Sequence, residues 1–403
     1  MGNRYLDIKS KEKIAIIDCN NFYVSCERLF QPGLDSEATV VLSNNDGCII
    51  ARSPEIKAMG IKMGQPLFKL DQKAQGIMKK FSSNYELYGD ISDRIAHILK
   101  RLVPRVEIYS IDESFLDLSH IPEDKLLDEI KSIQSTIQRL TGIPVSIGVA
   151  PNKTLAKLCN HLSKTQPERK GICSYWNLNR QVIDFMPIDE VWGIGRQYKK
   201  RLNELSVQSV KDFLKLDSMQ VKQVMGVSGL RTWCELSEAL CHPLDTEFKI
   251  PKMITCSRSF GSSVWEHSQM RNAFWTFLQN CHRKLVRENL DVTRVTLFAT
   301  TNRFEDNYTY WSQSFELEIQ THDFNDLWNQ ISSVLEELPT TLWYKAGINF
   351  SGLKPQNVKQ ERLIRFNFEQ AEQAEVEKQK WQTRRDFLSQ RYTTNWDEIP
   401  LVF

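Results

Sequence analysis

Residues 13–18, KIAIID, form a short apolar run that ends on a carboxylate. A run this short, rich in isoleucine and bounded by polar residues, is expected to be a strand buried on both faces. A carboxylate buried at the end of such a strand is costly unless a cation or hydrogen-bond donors meet it. The fold must therefore bring a partner to Asp18. A second acidic pair, Asp112-Glu113, lies in the turn SIDE between two expected strands, 106–109 and 115–118. Together these segments place carboxylates at the ends of expected strands.

The rest of the first ~175 residues alternates strand and helix signals. Asn20 or Asn21 can cap a helix carrying Phe22, Cys26, Leu29 and Phe30. Two β-branched runs, 38–43 and 47–51, flank the turn residues NND. Leu87, Ile91, Ile95, Ile98, Leu99 and Leu102 recur at helical spacing, and a helix over 126–140, a strand over 145–149 and a helix over 155–162 follow. This is an α/β (α+β) multidomain pattern. Residues 178–240 read as several short helices. Residues 241–251, with two prolines, read as a linker. A second α/β unit follows: strand 254–260, helix 269–288, strands 294–300 and 310–318, helix 327–338 and strand 344–351. A Glu/Gln-rich stretch, 369–380, leads into the C-terminal segment.

The 403 residues suit about two to four domains. The formal net charge is only +2, so any surface for a polyanion must come from local segregation of charge. No run approaches the ~18 apolar residues of a membrane span, and the first 13 residues lack the apolar core of a signal peptide. Nine scattered cysteines without a CxxC pair point to reduced thiols in a cytosol. Cys241-His242 and Cys281-His282 lack the second spaced pair that structural zinc requires.

Carboxylates at strand ends suit magnesium, a hard cation that takes one or two protein carboxylates and leaves its other positions to phosphate and water. Two such ions about 3.5–4 Å apart can activate a hydroxyl and stabilise a leaving phosphate. Asp-Glu pairs in turns are usually solvated, and Asp112-Glu113 alone would be read that way. Asp117, two residues beyond Phe115, could join the site or serve the structure.

The segments IDCNNFYVSCE (17–27) and YSIDESFLDLS (109–119) resemble the two metal-binding motifs of the Y-family DNA polymerases. The segments 43–66 and 81–92, and the final RRDFLSQRYTTNWDEIP, resemble the UmuC-like branch of that family. The likeness runs over nearly the whole chain and is weakest at ~355–380. It implies a right-hand polymerase: a palm over 13–21 and 84–172, fingers over 22–83, a thumb with a helix-hairpin-helix over 173–240, a linker over 241–252, a little finger over 253–355 and a tail over 356–403.

By the same resemblance, Asp18 and Asp112 bridge two Mg²⁺ ions, Glu113 completes the catalytic metal site, and the Cys19 carbonyl ligates the nucleotide-bound ion. Phe22 and Tyr23 match the aromatic pair after the first motif, with Tyr23 as the steric gate under the sugar; core packing is the other reading of both. The family's triphosphate-binding Tyr and Arg fall on Pro54 and Lys57, and Lys164 matches a second triphosphate lysine. Pro54 cannot donate a hydrogen bond. Lys57 and Lys164 could otherwise be solvated. Cys48 and Ile50 match the roof over the nascent base pair, or pack within a sheet.

Two stretches suit a DNA backbone. VWGIGRQYKKRL (191–202) resembles a helix-hairpin-helix turn, in which Gly193 and Gly195 bring backbone N–H groups to a phosphate and Arg196, Lys199 and Lys200 follow. Residues 196–231 and 252–303 each hold eight Lys/Arg against three Asp/Glu, the second set including Arg258, Arg283, Lys284 and Arg294. Such contacts give affinity without sequence choice; two solvated basic faces are the alternative.

The resemblance implies error-prone translesion synthesis in the SOS response, on primed and damaged DNA with a deoxynucleoside triphosphate. It further implies a cleaved UmuD dimer, RecA and the sliding clamp as partners, and a bacterial cytoplasmic, nucleoid-associated site of action. The segment from Gln360 to Phe366 only loosely matches the branch's clamp peptide. The competing readings are a DNA-binding scaffold with a silent site, a single-subunit DinB-type bypass polymerase, and a two-metal nuclease, which would have no use for Tyr23 beneath a sugar.

Overall fold

A computed structural model describes residues 9–246 and 250–356. The segment from Gln360 to Phe366, and the tail after Gln356, lie outside the described residues. The first strand, β1 (Ile14–Cys19), runs into α1 (Phe22–Phe30); then come β2 (Thr39–Leu42), β3 (Ile49–Arg52), α2 (Pro54–Ala58), α3 (Gln72–Ile77) and β4 (Lys79–Ser82). Next are α4 (Tyr85–Leu102), β5 (Val106–Ile108), β6 (Glu113–Asp117), α5 (Glu123–Thr141), β7 (Val145–Ala150), α6 (Lys153–Thr165) and β8 (Ile172–Ser174). The strands β1 and β5 to β8 form one sheet in the order β5-β6-β1-β7-β8. A smaller sheet, β3-β2-β4, holds the segment between α1 and α4.

The β1 run is apolar throughout because both its faces are covered. Ile14 and Ile16 lie in one buried cluster with Phe115 and the α6 residues Leu155, Leu158 and Leu162. Ala15 and Ile17, of opposite parity, lie in another with Leu116 and the α4 and α5 residues Ile91, Ile95, Ile130 and Ile133. The helix α6 rests directly on β7, and Gly148 permits this approach. A Cβ there would stand 2.2 Å from the Asn160 backbone nitrogen and 2.4 Å from the Ala156 carbonyl oxygen.

Four helices follow: α7 (Arg180–Asp184), α8 (Arg196–Glu204), α9 (Val210–Lys215) and α10 (Ser218–Leu236). The last is broken at Gly226, which takes φ 69° and ψ −162°. The fully buried Glu235 carboxylate docks α10 on the start of α6. It accepts from the Thr154 backbone N–H at 3.0 Å and hydroxyl at 2.6 Å, and from the N–H groups of Cys241 and His242 at 3.1 and 2.8 Å.

The C-terminal unit comprises β9 (Met253–Val264), α11 (His267–Arg287), β10 (Leu290–Thr300), β11 (Tyr310–Thr321), α12 (Phe324–Leu335), β12 (Trp343–Ser351) and β13 (Lys354–Pro355). Its antiparallel sheet has the order β11-β10-β12-β9, with β13 on β10. Residues of α11 and α12 pack with Ile254, Leu297 and Ile348 in one core. The opposite face carries Thr255, Ser257, Thr296, Ser314 and Asn349, none of them in that core.

Three expectations are corrected. Neither asparagine side chain caps α1: Asn21 takes a left-handed φ of 49° and makes no capping bond, and the Asn20 side chain instead accepts from Ser146. Glu113 opens β6 rather than lying in the turn, because it pairs across to Asp18. The strand β8, parallel to β7, carries the sheet to Ser174, past the expected palm boundary at 172. No described helix is long and apolar enough to cross a membrane.

Candidate functional site

Strand parity builds the site. Asp18 shares its face of β1 with Ile14 and Ile16, so it points toward α6, and the register sets Glu113 directly opposite it. The Cys19 backbone N–H donates to the Asp112 carbonyl at 2.8 Å, which brings the turn against the end of β1. Within the turn the Ser110 hydroxyl donates to Asp112 Oδ1 at 2.6 Å and accepts from the Glu113 N–H at 3.0 Å. Three carboxylates thus meet at one sheet end.

Cations from α6 answer them. Lys164 Nζ lies 2.5 Å from Asp18 Oδ2 and Lys157 Nζ lies 2.8 Å from Glu113 Oε1. Burial nevertheless raises the Asp18 carboxyl from its usual 3.8 to about 6, against the pull of Lys164 and with a further push from Glu113 and Asp112. Among the described residues no three ligating side chains already converge on a single ion position. Asp18 is turned to Lys164, Glu113 to Lys157 and Asp112 to Ser110. The donor set itself is all oxygen and anionic, as a hard divalent cation requires. The Cys19 side chain is in the core, leaving its backbone carbonyl as the group available to a ligand.

Lys57 belongs to the same neighbourhood: its ammonium is held below its usual range by burial and by the charges of Arg52 and Lys164, with Asp18 acting oppositely. Arg52 was not anticipated. It ends β3, donates to the Ile61 carbonyl through Nη1, and leaves its buried Nε without a partner. Pro54 starts α2, with Ser53 as the cap, so the ring occupies a position where no N–H is needed. Phe22 is buried in the core. Tyr23 is half-buried and stacks on Tyr88, with ring centroids 4.3 Å apart and an interplanar angle of 16°. Tyr88 is fixed by its hydroxyl donating to Glu27 at 2.6 Å. On β3, Ile50 is half-buried between Ile49 and Ala51; Cys48, just before the strand, forms an isolated bridge to Pro66.

Asp117 is excluded. It sits four residues along β6 from Glu113, about 13 Å away at strand rise, and pairs with Arg105 at 2.8 Å.

The expected backbone-binding residues divide into groups. Gly193 has φ 89°, and Gly195 caps the start of α8. Arg196 and Lys200 are exposed, whereas Lys199 pairs with Asp189 at 2.6 Å. Arg294 lies on the open face of the C-terminal sheet, paired with Glu316. Arg258 shares the parity of Ile254 and Cys256 and so lies on the helix-covered side. There it lines, with Arg283 and Lys284, a cavity of about 820 Å³ facing Glu86, Asp90 and Asp93 of α4. Alternation along β9 was the signal that separates Arg258 from the open face.

Residues 17–161 match the impB/mucB/samB family, residues 251–363 match the C-terminal domain of that family, and residues 370–402 match a domain of unknown function (DUF4113). The chain is 34% identical to Protein UmuC of Salmonella typhimurium, over 96% of this chain and 99% of that protein. It is 33% identical to Protein ImpB of Salmonella typhimurium over the same shares. It is 25% identical to DNA polymerase IV of Oceanobacillus iheyensis, over 94% and 89% of the two chains. Among solved structures, a Y-family DNA polymerase chimera built on Dbh aligns with a TM-score of 0.69 at 20% identity, over 85% of this chain and 99% of that one. An insertion ternary complex of Dbh DNA polymerase aligns with a TM-score of 0.59 at 20% identity and the same coverage.

Proposed function

This chain belongs to the impB/mucB/samB family, and from that premise we propose that it is an error-prone translesion DNA polymerase of the UmuC type. The observation that carries the reading is the meeting of Asp18, Asp112 and Glu113 at one sheet end, beside the cations Arg52, Lys57 and Lys164 and the Tyr23–Tyr88 stack.

Asp18, Asp112, Glu113 and the Cys19 carbonyl would hold two magnesium ions. When bound, these supply Lewis-acid neutralisation of the reacting hydroxyl and the triphosphate. The chain does the positioning. Lys57 and Lys164 meet the triphosphate, Arg52 adding charge where Pro54 supplies no donor. Tyr23, backed by Tyr88, fills the space a 2′-hydroxyl would need and so selects by exclusion. Cys48 and Ile50 roof the nascent pair. The primer 3′-hydroxyl displaces pyrophosphate from the α-phosphate, a reaction in which alignment and charge account for most of the acceleration.

In this reading the first sheet is the palm, the three-stranded sheet the fingers, the helices α7 to α10 the thumb and the C-terminal unit the little finger. The hairpin Gly193–Gly195 with Arg196 and Lys200, and the small polar side chains and Arg294 of the open sheet face, track the duplex backbone. A cleaved UmuD dimer, RecA and a sliding clamp are the partners this reading brings with it.

The test is primer extension past an abasic site with Mg²⁺ and those partners. Wild type extends, Asp112→Ala does not, and Tyr23→Ala incorporates ribonucleotides. A wild-type chain that binds primed DNA without extending it, while the Salmonella UmuC extends in parallel, would replace this reading with a scaffold.

A further inference from the structure

The aromatic surroundings of Lys157 are not explained by an ion pair alone. Its Nζ lies 2.8 Å from Glu113 and also 4.8 Å from the Tyr109 ring centroid, 5.7 Å from that of Trp192 and 5.8 Å from that of Phe115. The box is built across two parts of the fold. Tyr109 and Phe115 flank the turn that presents Asp112 and Glu113. Trp192 immediately precedes the Gly193–Gly195 hairpin. Its indole N–H donates to the Tyr109 hydroxyl at 3.3 Å, and the two rings meet edge-on at 5.8 Å. From this one position the ammonium contacts a carboxylate and faces three rings at once, so release from the carboxylate leaves it among ring faces. Lys157 and Lys164 stand seven residues apart, two turns of α6, so one helix face offers one ammonium to Glu113 and another to Asp18.

We propose that Lys157 is a positioning residue that holds Glu113 in place of a divalent cation and yields it to the cation by withdrawing into the Tyr109–Phe115–Trp192 box. The inference rests on the polymerase reading for its purpose, though not for its measurement. A cation arriving at Glu113 must displace the ammonium, because like charges cannot share one carboxylate edge at contact distance without large repulsion. The box keeps the displaced charge in a favourable seat. The displacement brings it closer to Trp192, whose backbone starts the hairpin proposed to hold a DNA phosphate. Metal occupancy at Glu113 and hairpin geometry are thereby linked through one side chain.

The experiment uses the full-length chain with primed DNA and no nucleotide, titrated with Mg²⁺ while indole emission is followed. Wild type should show a saturable change that Trp192→Phe removes. Lys157→Met should lose that change. Its half-saturating Mg²⁺ concentration, read by calorimetry, should fall by roughly threefold or more, the scale of removing one competing charge at a partly exposed site. Lys157→Arg, which keeps the charge and its ring contacts, should restore the wild-type concentration and guards against misreading a folding defect. An unchanged Mg²⁺ titration in Lys157→Met, or a wild-type signal that survives Trp192→Phe, overturns the proposal. A Lys157-dependent signal in a chain that never extends primers would overturn the polymerase reading and leave this inference standing.

Discussion

Neutralising Asp18 should change how the unloaded protein responds to pH. The side chain is 16% exposed, and its carboxyl is raised from 3.8 to about 6 by burial, with Lys164 at 2.5 Å offsetting only part of the cost. Between pH 4 and 6 the folded state thus binds more protons than the unfolded state at this group, so stability falls as pH rises through that window and stays low above it. A carboxyl held that far above its usual range is worth about 3 kcal/mol at most. Urea unfolding from pH 4 to 8, with each transition fitted separately, compares wild type with Asp18→Asn. The asparagine variant carries a constant offset from losing the Lys164 contact but no titration at this position. Subtracting the curves cancels the groups remote from Asp18 and leaves its titration together with that of its neighbours Lys164, Glu113 and Asp112. Wild type should lose stability relative to the variant by a few kcal/mol, on the scale of that linkage, as pH rises from 4 to about 7. Mg²⁺ at pH 7.5 should restore stability to wild type by binding the folded state alone. At pH 5, where Asp18 is mostly protonated, the same concentration should do much less. Parallel curves from pH 4 to 8 would refute the reasoning.

Glu235→Ala removes the acceptor of the buried Thr154 amide and of the half-buried Cys241 and His242 amides; at roughly 1–3 kcal/mol per unsatisfied donor it should cost about 4 kcal/mol in urea unfolding, and Glu235→Gln about half. Gly148→Ala drives a Cβ into the α6 backbone at 2.2 Å. It should cost more than about 3 kcal/mol, whereas Gly261→Ala, with nothing within 4 Å, should be near neutral in the same assay. Tyr88→Ala removes the ring on which Tyr23 stacks. The ratio of kcat/KM for deoxy- over ribonucleotides should fall by roughly tenfold, the upper end of an aromatic pair's worth, while Tyr88→Phe should retain the discrimination.

The sequence made the first sheet readable wherever strands are apolar on both faces, as in β1 and β7, because burial alone dictates that pattern. It hid β4, whose residues KKFS are largely exposed and are held as a strand by parallel pairing to β2, a contact no local pattern encodes. The strand assignment of Glu113 was hidden for the same reason, since Asp18 pairs with it from 95 positions away. In the site, acidic residues at strand ends stood out because an apolar run ending in Asp18 is unusual. Lys157 did not: a lysine on an amphipathic helix is ordinarily solvated. Its role depends on which face of α6 meets the carboxylates. Arg52 was hidden likewise, since a charged residue ending a strand looks exposed until the surrounding chain closes over it.

That one helix explains why site and scaffold cannot be varied independently. Asn152 caps α6, accepting from Leu155 N–H at 3.0 Å, and its side-chain amide donates to the Glu235 and Ala239 carbonyls of the helical segment at 2.7 and 2.8 Å. Lys153, nearly buried, reaches Glu107 at 2.5 Å, and the same carboxylate oxygen accepts from the Asp245 N–H at 2.7 Å. One and three turns further on, Lys157 and Lys164 meet Glu113 and Asp18. An α-helix of thirteen residues spans about 20 Å and behaves as a stiff rod, so a shift at its Asn152 end is carried to both ammonium groups. Loosening the Glu235 junction should therefore lower catalytic turnover even under conditions where the protein remains folded. A Lys164 substitution, acting at the far end of α6, should leave the junction's amides as protected from hydrogen exchange as in wild type. That asymmetry follows from where the helix is anchored: burial and four donors fix Glu235, whereas the lysines contact carboxylates that remain partly open to solvent and to the ligands those carboxylates would hold.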